Sequence, residues 1–169
     1  CLEFVKIPTL THEKVNFYSA EEVQKVWEAI KDDRIFHIVY ATIYFGMRRS
    51  EVLGLRWDAI DFENKMLIVK HTVVMYNNKV VAKDSTKTDA SNRTYPLSDD
   101  MIEFFKWLKA REKEERAACG KDYIENDYIF KWPNGKTYDP DYISKRFKKL
   151  LKKNDLKRIR FHDLRHSCA

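Results

Sequence analysis

The sequence has little cysteine to work with. Its three cysteines, Cys1, Cys119 and Cys168, are an odd number with neither metal-ligand nor CxxC spacing. That argues against a disulfide framework or a cysteine-ligated metal and suits reduced thiols in the cytoplasm. No segment is long and apolar enough to span a membrane, and no basic stretch followed by an apolar one opens the chain. Internal repeats and low-complexity segments are missing as well. Nor is there an excess of acid: 32 Lys+Arg stand against 26 Asp+Glu, a net charge of +6 with His neutral. Such a balance suits a polyanionic partner without establishing one. The 169 residues suffice for one domain with its own core. Beginning at Cys1 and stopping at Ala169, they read as a piece of a longer protein.

Helix and strand signals divide the chain. Residues 1–17 lack periodicity and contain Pro8, as in a linker. Ser19 and Glu22 have capping-box spacing and Tyr18 and Val23 hydrophobic-staple spacing, so a helix starts there with Val23, Val26, Trp27 and Ile30 on one face. Ile35 to Phe45 is the most apolar run and predicts a buried helix stopped by Gly46. Met66 to Met75 predicts one strand, Asn77-Asn78 a turn, Lys79 to Ala82 the returning strand, and Arg93 to Leu97 a third. Ser98 caps another helix with Met101, Phe105 and Leu108 inward and Gly120 at its end. Residues 122–137 read as loop, with a turn at Pro133-Asn134-Gly135. Asp139-Pro140 opens a last helix, apolar at Ile143, Phe147, Leu150 and Leu151 and basic elsewhere. The expected class is α+β, mainly helical, with a small three-stranded antiparallel sheet.

Two clusters could carry chemistry. In Gly46-Met47-Arg48-Arg49-Ser50-Glu51, two arginines fall at a helix-to-helix junction, with Ser50 as the expected cap and Glu51 in the first turn. This is either an anion site or a surface arginine pair beside a cap. His162 and Arg165 lie three apart and share a face on a helix. Arginine cannot ligate a metal, whereas the pair suits a phosphate; the alternative is a capped helix start with two surface residues. His37 and His71 fit core or surface packing, His166 fits helix packing, and the aromatics fall at core spacing.

Taken in order, Gly46-Met47-Arg48-x-Ser50-Glu51-x-x-Gly54-Leu55, then Thr86-Lys87-Thr88, then His162-Asp163-Leu164-Arg165-His166-Ser167 resemble the catalytic domain of the tyrosine recombinases, the phage and transposon integrase family. The resemblance runs from about Tyr18 onward and makes residues 18–169 part of such a domain, with 1–17 a linker from a preceding DNA-binding domain. It implies that Arg48 and Arg165 grip the scissile phosphate, that Lys87 protonates the leaving 5′ oxygen, and that His162 hydrogen-bonds the phosphate. Lys83 is the competitor for the lysine role. Glu51 would support the site, and Arg49 is the less suitable phosphate ligand by its offset from Ser50. Lys145, Lys148, Lys149 and Lys152 become candidate contacts to the DNA backbone, or else an ordinary solvated helix face. Double-stranded DNA is the implied partner, with a tetramer on DNA for the parent protein and a monomer for this piece; neither metal nor other cofactor is implied.

One departure stands out. The family's nucleophilic tyrosine follows the His-x-x-Arg box, yet all nine tyrosines here precede His162. The piece by itself is therefore expected to be inactive in cleavage and to bind DNA weakly and in a salt-sensitive way. Other readings of the same boxes are a non-catalytic remnant that binds DNA or a partner, and a type IB topoisomerase-like enzyme.

Overall fold

A computed structural model describes residues 16–76, 79–84 and 93–167. Helix α1 (Ala20–Ile30) starts on the expected capping box: Ser19 Oγ accepts the Glu22 N–H, and the Glu22 carboxylate accepts the Ser19 N–H at 2.9 Å. Tyr18 and Val23 are both buried beside it. Helix α2 (Phe36–Phe45) is apolar nearly all round and lies inside the core. It ends at Gly46, whose φ of 60° and ψ of 28° are left-handed. A short helix α3 (Arg49–Leu53) and a 3-10 turn (Trp57–Ala59) follow.

The sheet is three-stranded and antiparallel, but its members differ from the expected ones. Strands β1 (Ile60–Asp61), β2 (Met66–Val69) and β5 (Arg93–Pro96) pair in the order β1-β2-β5, with Leu67 opposite Ile60 on one side and Tyr95 on the other. The run Met66–Met75 is two strands, not one. After Lys70 the chain becomes β3 (His71–Tyr76), which pairs with β4 (Lys79–Asp84) in a separate hairpin. Burial alternates without a slip across the break, through Leu67, Val69, His71 and Val73. The inward face is continuous and only the partner strand changes, so the side-chain pattern carries no mark of it. The Asn77-Asn78 turn lies outside the described residues.

Helix α4 (Asp99–Cys119) has Ser98 Oγ accepting the Met101 N–H, and Gly120 at its end has φ of 56°. Helix α5 (Pro140–Lys153) opens with Asp139 Oδ1 accepting the Asp141 N–H at 2.7 Å. The described residues end in a 3-10 helix (Phe161–Ser167) that packs against α2. Segment 123–137 is irregular but firmly anchored. The Trp57 N–H donates to Asp127 O and the Ile129 N–H to Leu55 O. Lys131, its side chain 4% exposed, donates to Glu112 Oε1 at 2.6 Å and to Asn126 O at 2.8 Å. Glu112 also accepts from Trp57 Nε1 and Tyr123 OH. These bonds fix the chain that leaves α3.

His37 packs into aromatics, its ring 4.8 Å from Trp107 and 5.9 Å from Phe104. Burial pushes it from its ordinary 6.5 down to about 4, and the Arg111 guanidinium adds to the shift. Between those values the unfolded chain binds a proton that the folded chain refuses, so stability falls as pH drops from about 6.5 toward 4. The expected loss is on the order of 1–2 kcal/mol, discounted because water still reaches part of the ring. Urea midpoints measured across this range should decline for the wild type and flatten for His37→Phe. Parallel curves for the two proteins would assign the decline to other groups.

Candidate phosphate-binding site

Between Gly46 and α3 the backbone at Arg48 is extended, with φ of −71° and ψ of 153°, which makes Arg48 the residue that opens the helix. Ser50, the expected cap, instead occupies the second helical position. The cause is Glu51. Its Oε2 accepts the Arg48 N–H at 2.7 Å while Oε1 accepts Arg48 Nη1 at 2.9 Å. A carboxylate in the first turn that reaches back to the preceding N–H supplies the cap, so the helix begins two residues earlier than a Ser50 cap allows. Glu51 is buried, whereas the Arg48 side chain is 49% exposed. One edge of the guanidinium is thus held from within while the side chain remains open to solvent.

Arg49 is used differently. Its Nη1 donates to Pro140 O at 2.9 Å and Ser144 Oγ at 2.6 Å, with the Asp141 carboxylate at 3.4 Å, so it braces α3 against α5. Arg93, which sequence reasoning passed over, begins β5 and places Nη1 3.6 Å from Glu51 Oε1. Its signal was only that of a basic residue at a strand start.

The second cluster lies in the terminal 3-10 helix, where residues three apart fall one above the other. His162 is exposed, Arg165 is half-buried, and Asp163 and Leu164 between them are buried. Asp163 accepts from the Arg160 N–H at 3.3 Å, from Nε at 2.9 Å and from Nη2 at 3.2 Å. Burial raises its carboxyl, but these bonds outweigh burial and hold it below the ordinary carboxylate range. Asp163 therefore fixes the turn that presents His162, a role absent from the expectations. His166 is exposed, which corrects its expected place in helix packing: Leu164 and Ser167 take the inward positions of the turn. His71, left open between core and surface packing, is buried, 3.0 Å from Arg56 Nη2 and 2.9 Å from Tyr128 OH through Nε2.

A cavity of about 770 Å³ opens between α5 and residues 158–163, lined by Arg49, Lys148, Arg158, Arg160 and His162 around an apolar floor that includes Phe147. Lys145, Lys148, Lys149 and Lys152 are all exposed on α5, and of these Lys148 shares the cavity with His162. Arg146, on the same helix, is paired with Asp33. Arg48 lies outside that lining; the helix α2 links the two clusters, ending two residues before Arg48 and packing on the His162 turn. Lys87 lies outside the described residues, and the Lys83 backbone pairs with Thr72 in the hairpin. Guanidinium, ammonium and imidazole groups at a surface are donors for phosphate oxygens.

The profile of the phage integrase family matches residues 10–169. A tyrosine recombinase XerC-like protein of Caldanaerobacter subterraneus is 32% identical over 98% of this chain and 46% of its own length. The ICEBs1 integrase of Bacillus subtilis is 28% identical over 96% of this chain and 44% of its own. The chain thus spans about half the length of these curated relatives. Among solved structures, the Tn1549 transposon integrase in complex with transposon right end DNA aligns with a TM-score of 0.77 at 18% identity, over 93% of this chain and 53% of that one. The lambda integrase catalytic core aligns at 0.56 and 17%, over 88% of this chain and 78% of that one. At such identities these likenesses concern the fold, which is that of the catalytic domains of tyrosine recombinases. The family profile covers nearly all of the sequence, and the chain belongs to the phage integrase family.

Proposed function

We propose that this chain is the phosphate-gripping part of a site-specific DNA recombinase, an integrase that cuts and rejoins double-stranded DNA by transesterification. The observation that supports this most directly is Arg48, locked by the buried Glu51 carboxylate yet half open to solvent. In this reading Arg48 and Arg165 bind the non-bridging oxygens of one phosphodiester and offset the charge that builds up in the transition state. His162 hydrogen-bonds the same group. A tyrosine hydroxyl attacks phosphorus, the bond to the 5′ oxygen breaks, and Lys87 gives that oxygen its proton. The 3′-phosphotyrosyl bond conserves the phosphodiester energy, and a freed 5′ hydroxyl reverses the step on a new strand. No metal or ATP enters. Lys145, Lys148, Lys149 and Lys152 lie along the DNA backbone. The attacking tyrosine is one that follows Arg165 in chain order, and residues 1–169 form no adduct by themselves. The complete protein works as a tetramer on DNA in a cytoplasmic compartment, and this chain alone is a monomer.

The test is a nicked suicide DNA substrate offered to the complete gene product. A covalent protein–DNA adduct is expected, and it should vanish when the tyrosine downstream of Arg165 is changed to Phe. Failure to form an adduct, or an adduct that survives the loss of every downstream tyrosine, would overturn the mechanism.

A further inference from the structure

Glu51 is one buried carboxylate with two guanidiniums. Arg48 donates to it from both its backbone and its side chain, at 2.7 and 2.9 Å, and Arg93 approaches the same Oε1 at 3.6 Å. The Glu51 side chain is 9% exposed, against 49% for Arg48 and 41% for Arg93. Charge counting gives the contact its meaning. Arg48 and Glu51 alone are a neutral pair, and a neutral pair offers a dianionic transition state little net field. The carboxylate also competes with phosphate for the arginine it holds. A second guanidinium on the same oxygen returns the triad to a net positive charge and loosens the hold of Glu51 on Arg48, at short range and beside a buried group where screening is weak.

We infer that Arg93 is a positioning residue for the phosphate site, which acts through Glu51 to leave Arg48 free to bind. The inference rests on the proposal that Arg48 binds the scissile phosphate. Arg93 is well suited to such a role. Its backbone is fixed by pairing with Val69, so the side chain has a set origin, and its half-exposed guanidinium contributes little burial of its own. Glu51 lies in α3 and Arg93 in β5, so the contact also joins the arginine junction to the three-stranded sheet.

A double-mutant cycle on the complete gene product tests this, with single-turnover adduct formation on the suicide substrate as the main measurement. Arg93→Ala is expected to slow adduct formation about tenfold, with DNA affinity and thermal midpoint unchanged. Arg93→Lys, which keeps the charge, should retain most of the rate. In a Glu51→Gln background Arg93→Ala should change the rate less than about twofold, because the carboxylate it answers is gone. An equal slowing in both backgrounds, a lysine variant as slow as the alanine one, or a loss that follows DNA affinity or thermal midpoint would overturn the role. Arg48→Ala separates this outcome from failure of the underlying reading. If Arg48→Ala cleaves at the wild-type rate, the phosphate assignment is wrong; if it is severely slowed while Arg93 shows no coupling to Glu51, only the Arg93 inference falls.

Discussion

Replacing Arg48 with alanine is expected to slow single-turnover strand cleavage by the complete protein by about 10²–10³-fold, the ~3–4 kcal/mol typical of losing one preorganised donor to a developing oxyanion. The fold should tolerate the change, because the Arg48 side chain is half exposed and the Arg48 N–H keeps its bond to Glu51. Arg49→Ala should show the reverse pattern. That side chain ties α3 to Pro140 O and Ser144 Oγ, so its loss should lower stability by about 1–2 kcal/mol. Cleavage should fall far less than in Arg48→Ala. Adduct rates and urea midpoints for both variants give four numbers. If Arg49→Ala is the slower enzyme, the roles assigned to these neighbours are exchanged and the site must be redrawn around α5.

Gly54→Ala is expected to destabilise the chain by about 3 kcal/mol, at the upper end for overpacking a well-filled site. Gly54 has φ of −87°, so backbone conformation is no reason for a glycine here. Space is the reason. A Cβ at this position would sit 2.5 Å from His71 O and 2.7 Å from Thr72 Cα, and both are backbone atoms of β3 that cannot swing aside. Either α3 lifts from the hairpin or β3 shifts, and α3 is the element that Arg48 opens. Activity should therefore fall together with stability. Gly120→Ala is the matched control: nothing lies within 4 Å of its Cβ, and only the positive φ of 56° is strained. With ψ of −124° it lies outside the left-handed helical region, and the change should cost about 1–3 kcal/mol through backbone strain alone, with cleavage intact. Equal urea midpoints for Gly54→Ala and the wild type would mean that the α3–β3 approach is looser than described.

What the sequence made legible was local. The Ser19–Glu22 box, the Gly46 stop, the Ser98 cap and the Asp139-Pro140 start each depend on residues within one turn, and each stands where expected. Ser50 misled because Glu51, one position later, reaches back to the Arg48 N–H and sets the start of the helix at Arg48. The break at Lys70 was invisible because burial alternates straight through it, and β1 because two residues have no period. Lys131 was hidden for a different reason. Lysines are exposed by default, and nothing nearby in sequence announces Glu112, nineteen residues away. The order of the boxes pointed to Arg48, His162 and Arg165 as candidates, but the contacts around them, Glu51 with Arg93 and Asp163 with Arg160, depend on distances that the order of residues does not contain. Lys87 remains an inference from the boxes alone.

The backbone N–H of Tyr18 donates to Ser167 Oγ at 2.8 Å, and the Tyr18 hydroxyl donates to Lys157 O. The first of these bonds joins residues 149 positions apart. A ribosome that adds about 5–20 residues per second delivers Ser167 roughly 7–30 seconds after Tyr18. Helix α1 emerges long before the turn that carries His162 and Arg165 exists. A chain made only as far as α5 thus has the arginine junction without the turn, and the clasp at Tyr18 is among the last contacts to form within the described residues.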